Sequence, residues 1–348
     1  MDVLNLSSKK RETYEVEINY SILWESALGI AAITNTRLLD TLEKPASFWD
    51  SIKSSLSAEI LKELNYVEEN NTWKALLLLL HVKDFKSLKD FTAYIDELSA
   101  EELRLICMPY LGTKYQYLRQ CASLGDLTSL QKMKEIAKDN PFYPAYIDFV
   151  CKVDTDKLKQ HLSKIMTVWV EEVLTIDKQK EITNILQADY ESKSKMKETL
   201  NSFELVEWAT GGVTYQPEPS VTKVLLIPQY IYRPWNIEAD LEGTKVFYYP
   251  VANESITPED PYTPNHSLVL KYKALGDEVR LRMVKILYEN DHTLQEITDH
   301  LNLGKSTVHH HLKILRSARI VAIKDNKYTL KRKPLDSIYM ELNSFLNQ

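Results

Sequence analysis

Between Leu301 and Leu315 the chain reads LNLGKSTVHHHLKIL, and its residue types admit three chemistries. GKST is the tail of a phosphate-cradling loop. Three adjacent histidines offer imidazole nitrogens to a metal. Small polar and basic residues at the head of an amphipathic helix can read DNA. Spacing separates these readings. A phosphate loop of the form GxxxxGK[ST] needs glycine five residues before Gly304 so that backbone amides can wrap the phosphates, and a strand must feed it. The chain has Asp299 there, inside the helical pattern ITDHL. Successive helical residues diverge by about 100°, so His309, His310 and His311 cannot converge on one ion, and a helical chelate wants ligands three or four apart. No metal and no cofactor is expected from this stretch.

The DNA reading requires elements that present one face and bury the other. Val308, Leu312 and Leu315 recur at spacings of four and three, which makes one buried stripe. Lys305, Ser306, Thr307, His309, His310 and Lys313 are left for the opposite face. Upstream, Thr293 and Glu296 form a capping box that opens a helix with Ile297 and Leu301 facing inward, and Asn302-Leu303 supplies a short turn. Before that, LKYKALGDEVRLRMVKILYEN holds two short helices hinged at Gly276-Asp277. Asp277 is an N-cap, and Leu281, Val284, Ile286 and Leu287 are expected to supply apolar surface. Downstream, IVAIK, Asp325-Asn326 and KYTL make a tight hairpin, with Lys324 and Lys327 at its tip. Helix, turn, helix and hairpin in this order is a winged helix-turn-helix.

These residues resemble the winged-helix repressors of the ArsR type. The resemblance rests on KALGDEVRLRMVKIL, on TLQEITDHLNLGKSTVHHHLKILRSARIV and on the hairpin, and covers about residues 267–348. It implies a homodimeric transcriptional regulator bound to an inverted repeat in double-stranded DNA. By matching position, Lys305, Ser306, Thr307, His309 and His310 meet the major groove or its phosphates, while His311 packs or braces the helix. Three departures matter. Metal-sensing relatives often carry a cysteine pair on the helix corresponding to LQEITDHL, and this chain has none. Gly304 stands where the family usually has a Ser-like cap. Arg319 stands where it usually has glycine, so a left-handed arginine costing about 1 kcal/mol is expected. The short hairpin argues against deep minor-groove insertion.

Charge supports a basic end on an acidic body. The chain of 348 residues has a formal charge of −6. Residues 261–348 carry fourteen Lys and Arg against nine Asp and Glu, whereas the preceding 260 carry 29 against 40. Between Gly304 and Lys333 there are nine basic residues and a single acid, Asp325. That is the footprint of nucleic-acid binding by one end of a molecule.

The remainder reads as a mainly α protein. TYEVEINY alternates as a strand with Tyr14, Val16, Ile18 and Tyr20 on one face. Helical patterning then runs from Ser21 to about Trp208, including stripes at Leu88, Phe91, Tyr94, Ile95, Leu98 and at Leu162, Ile165, Met166, Trp169, Val173. TKVLLIPQYIY and TKVFYYP read as two further strands of a small sheet. The expected domains are therefore a helical accessory or sensor domain with a small sheet at 1–250, a proline-rich linker at 251–266, and a winged helix-turn-helix for DNA binding and dimerisation at 267–348. LLLLL at Leu76–Leu80 is far short of the roughly 20 apolar residues of a spanning helix, so no membrane partner is expected. Cys107, Cys121 and Cys151 are scattered and lack CxxC spacing, which suits reduced thiols in a cytoplasmic protein.

No GxSxG, HExxH or glycine-rich nucleotide loop occurs, so no residue stands out as catalytic and the chain is not read as an enzyme. Aromatics in YIYRPW and VFYYP can line a pocket for a small-molecule effector, although core packing is the simpler use. The rival reading is a small-molecule-binding protein or enzyme whose winged helix serves protein contacts. The terminal segment PLDSIYMELNSFLN places Leu335, Ile338, Tyr339, Leu342, Phe345 and Leu346 on one helical face, and this helix is expected to pair across a two-fold axis.

Overall fold

The computed structural model describes residues 13–346, apart from Thr199, residues 258, 259, 261, 263 and 265, Asp325 and Ser337. The fold is mainly α, and the chain divides into two compact units, Met1–Val251 and Ala252–Gln348. The stretch read as a linker contains a helical turn, Asn253–Ile256, and several of its residues lie outside the described ones.

In the first unit, the helix Ile22–Thr34 is buried along its whole length from Leu23 to Thr34. Its sequence is apolar on every side, which suits a central helix rather than a surface one. The Ser21 hydroxyl caps it by accepting from the Leu23 N–H at 3.1 Å. LLLLL belongs to the helix Trp73–Leu80, which packs beside the central helix with Leu76, Leu77, Leu79 and Leu80 buried. Among the described residues, no helix is long and apolar enough to cross a membrane. Both expected helical stripes pack inward, with Phe91, Ile95, Leu162, Ile165 and Met166 all fully buried.

Among the described residues the sheet has four strands in the order β1-β2-β4-β3, formed by β1 (Glu15–Ile18), β2 (Lys223–Gln229), β3 (Ile237–Leu241) and β4 (Thr244–Pro250). β1, β2 and β4 run parallel, with Glu15 opposite Lys223 and Leu226 opposite Phe247, and β3 runs antiparallel to β4. β2 and β4 are near-continuous apolar runs because both of their faces are covered. β3, an edge strand of sequence IEADL, escaped the sequence reading although its residues alternate apolar and polar, because it is only five residues long and its Glu, Ala and Asp are disfavoured in strands. Gly243, at φ +70°, lets the chain turn from β3 into β4. Phe247, Tyr248 and Tyr249 are fully buried, so VFYYP is core.

In the second unit, the helices His266–Leu275 and Glu278–Glu289 meet at the expected hinge. They are followed by Leu294–Leu301, Lys305–Ser317 and the hairpin β5 (Val321–Lys324) and β6 (Lys327–Leu330). One core joins Ala274, Met283, Leu287, Ile297, Leu301, Val308, Leu312, Leu315, Val321 and Tyr328. Two sequence expectations need correction. Leu281 is 51% exposed and Met283 takes the buried position, because the inward face of that helix follows 283 and 287. The terminal stripe divides as well. Ile338 is buried while Tyr339 is 74% exposed, since adjacent helical residues cannot share a face. The segment forms two helices, Arg332–Asp336 and Ile338–Leu346, on either side of Ser337.

Candidate nucleic-acid interface

The helix-turn-helix is built by local chemistry. The Thr293 hydroxyl accepts from the Glu296 N–H at 3.3 Å, and the Glu296 carboxylate accepts from the Thr293 N–H at 2.7 Å. The Thr293 N–H, together with the Thr293 hydroxyl donating to the same carboxylate at 3.1 Å, pulls the Glu296 carboxyl below the usual carboxylate range. The helix Leu294–Leu301 ends at Asn302 in a left-handed conformation, φ 53°, where asparagine is tolerated. The next helix starts at Gly304, which has no side chain to cap it, so the leading N–H groups of Lys305–Ser317 lack a side-chain acceptor from that position.

Val308, Leu312 and Leu315 are each fully buried against the core. Lys305, Ser306, Thr307, His309, His310 and Lys313 are all exposed, and Arg316 extends the same basic surface by one turn. No acidic residue lies in the helix's first turn, where an aspartate or glutamate would ordinarily offset the positive helix end. The sequence reading omitted Arg316, although its spacing of three from Lys313 marks it.

On the wing, Lys324 and Lys327 pair directly across the strands and are both exposed. Like charges opposite each other destabilise a hairpin, so this pair is better suited to an anion than to the fold. Asp325, between them, lies outside the described residues. The hairpin is anchored by two backbone bonds, His292 N–H to Tyr328 O at 3.1 Å and Tyr328 N–H to His292 O at 2.7 Å. Arg319 adopts the expected left-handed conformation at φ 62°, as the chain leaves the recognition helix for β5.

His311 faces away from the exposed set. Its Nδ1 lies 3.3 Å from the Arg280 guanidinium and 3.8 Å from Asp277 Oδ1. Arg280 also donates to Ala274 O at 2.6 Å and to Lys273 O at 3.0 Å, satisfying terminal carbonyls of the preceding helix. Asp277 accepts from the Arg280 N–H at 3.0 Å. That bond, with the charges of Arg280 and His311, holds its carboxyl below the usual range. Gly276 fits this corner because a Cβ there would stand 3.2 Å from Tyr272 O.

Elsewhere, Thr72, His161 and Glu63 form a chain with the outline of a catalytic triad. The Thr72 hydroxyl lies 2.9 Å from His161 Nε2, and His161 Nδ1 lies 2.5 Å from Glu63 Oε2. Thr72 is fully buried, so no substrate carbonyl can reach its oxygen. The chain is a core network, invisible in the sequence because its members lie far apart. Among the described residues, no group of three or more His, Cys, Asp or Glu side chains is placed to hold a metal ion.

A basic recognition helix set by a short turn on a scaffold helix and followed by a β-hairpin defines a winged helix-turn-helix. Residues 277–322 match the family model described as bacterial regulatory protein, arsR family. The chain is 33% identical over 51 residues to the transcriptional repressor SdpR of Bacillus subtilis (strain 168), a match that spans 15% of this chain and 57% of that repressor. The chain thus covers little more than half the length of this curated relative. No solved structure matches it. The C-terminal unit carries an ArsR-type helix-turn-helix within a longer chain.

Proposed function

We propose that the protein is a sequence-specific, DNA-binding transcription regulator that represses by binding an inverted repeat as a homodimer. The observation that carries this reading is the recognition helix itself. Its buried stripe fixes one face, while Lys305, Ser306, Thr307, His309, His310, Lys313 and Arg316 form an exposed face without an acid. In this reading Lys324 and Lys327 hold phosphates, and the side chains of the first two turns read base edges. The similarity to a transcriptional repressor supports the sign of regulation.

Dimerisation is assigned to the terminal helix. Tyr339 and Leu346, seven positions apart on one helical face, are 74% and 69% exposed, an apolar surface on a helix tied to His266–Leu275 by the 2.5 Å ion pair of Lys271 and Glu341. Pairing of this surface across a two-fold axis sets two recognition helices about 34 Å apart, one turn of DNA. The helical unit then serves as an accessory or sensor domain for a small-molecule effector, and the protein acts as a cytoplasmic regulator rather than an enzyme.

The test is selection of genomic fragments by the purified full-length protein, followed by sequencing. Enrichment of a shared inverted repeat is the expected result. Fragments no richer in any motif than the input overturn the reading.

A further inference from the structure

Lys74 stands at the start of the helix Trp73–Leu80, and its Nζ faces three aromatic rings. It lies 4.1 Å from the centroid of Trp73, 4.9 Å from that of Tyr143 and 5.2 Å from that of Phe142. Phe142 and Tyr143 open the helix Tyr143–Lys152, so the cage forms where two helix starts meet. Phe142 is 39% exposed and sets one wall at the surface. Among the described residues, no carboxylate forms an ion pair with Lys74, and no charged neighbour offsets its burial.

Aromatic faces attract an ammonium ion, but removal from water works against the charge. Burial prevails and lowers the Lys74 amine to about 8. At pH 7.5 roughly a quarter of such an amine is neutral, against about one in a thousand for an ordinary lysine. The titratable group within the cage is Tyr143, raised by burial and by Asp240 behind it, with Lys245 opposing. On the nearby helices, Glu63, His161 and Lys164 are paired with one another.

We propose that Lys74 is a covalent capture site for small apolar aldehydes, whose carbonyl carbon is taken by Nζ inside the Trp73–Phe142–Tyr143 cage. The neutral nitrogen forms the N–C bond as the carbonyl π pair moves to oxygen. The nitrogen releases a proton, the oxygen gains one, and loss of water from the carbinolamine leaves an imine. No oxidant or reductant is consumed, and the addition reverses in water. An aldehyde suits the cage because it is uncharged and its apolar tail can pack on the rings, whereas a carboxylate or phosphate finds no second cation among them. This deepens the sensor role proposed for the helical unit by naming its ligand class.

The experiment treats the full-length protein with propanal and cyanoborohydride, which traps the imine as a propylamine, and maps each lysine by peptide mass spectrometry. At pH 7.5 Lys74 is expected to be trapped at least tenfold faster than the exposed Lys132. Phe142→Ala, which admits water to the amine, should reduce the lead at least threefold. Lys74 trapping no faster than Lys132 overturns the proposal, as does a Phe142→Ala variant indistinguishable from the wild type. Because trapping is read on Lys74 itself, a protein that failed to select DNA would leave this result unchanged.

Discussion

The Arg280 guanidinium spans from the end of one helix to His311 on the recognition helix, with 3.3 Å between its nitrogen and His311 Nδ1. Neither residue belongs to the exposed basic face, yet together they set the helix that carries it. Arg280→Ala leaves the carbonyls of Lys273 and Ala274 unsatisfied and His311 without its partner. A loss of charged hydrogen bonds of this kind costs roughly 2 kcal/mol. Operator affinity is expected to fall about tenfold with the salt slope unchanged, since no phosphate contact is removed. A changed slope in fluorescence anisotropy titrations would place Arg280 on the DNA instead.

Lys324 and Lys327 should act differently from Thr307 and His310. Alanine at either lysine is expected to weaken specific and random DNA alike and to reduce the slope of log K against log salt by about 0.9. Thr307→Ala and His310→Ala should instead narrow the gap between operator and random DNA, by about 1–3 kcal/mol for a lost base contact. Equal losses on both DNAs for all four variants would refute this division of roles.

The exposed position of Tyr339 makes it a cleaner probe of assembly than the half-buried Leu342. Tyr339→Lys should give a folded monomer in sedimentation at micromolar concentration, with weakened operator binding. A variant that still sediments as a dimer moves the interface elsewhere.

Transition metals should leave DNA affinity within about twofold. His309, His310 and His311 diverge around the helix, and the helix Leu294–Leu301 carries no cysteine. A tenfold response to zinc or to a chelator in the same titrations would reveal a site formed by other residues.

Two buried groups in the helical unit give stability opposite pH slopes. Burial, aided by Lys223, lowers His81 to about 4, while burial raises Glu25 to about 7 against the N–H bonds of Tyr230 and Ile231. His81 is neutral in the fold, so its contribution declines as pH falls from about 6.5 to about 4. Glu25 stays protonated in the fold after the unfolded carboxyl ionises, so its contribution declines as pH rises from about 4.5 to about 7. Each slope is about 1.4 kcal/mol per pH unit, and between pH 4.5 and 6.5 the two largely cancel. Denaturant unfolding of Glu25→Gln should therefore lose stability on acidification across that window, and His81→Gln should lose it on the alkaline side. Parallel profiles for both variants and the wild type would rule this out.

Much of the candidate interface was legible in sequence because its determinants are local. A capping box, an asparagine turn and apolar residues at spacings of four and three each act within a few positions, and each took the expected form. Arg319 was even readable as a left-handed residue from the place it occupies. What escaped were relationships set by tertiary contact. Arg280 and His311 lie thirty-one positions apart, and Thr72 meets His161 across eighty-nine. Strand β3 was missed for a related reason. IEADL does alternate, but its Glu, Ala and Asp are disfavoured in strands, so pairing with β4 rather than local preference decides its conformation. Leu281 and Tyr339 were misplaced because apolar residues crowd around those helices, and only the packed partner decides which of them turns inward.

The pairing of β1 with β2 also bears on how the protein is made. β1 ends at Ile18 and its partner begins at Lys223. A ribosome adding about 5–20 residues per second needs roughly 10–40 s to synthesise the intervening chain. Throughout that interval Tyr14 and Val16, destined for the core, have no strand to lie against. The helices between them can collect around Ile22–Thr34 as they emerge, but the sheet closes only afterwards. β1, the first described strand of the unit, is thus among the last pieces to find its place, and a nascent-chain chaperone has a long time to hold it.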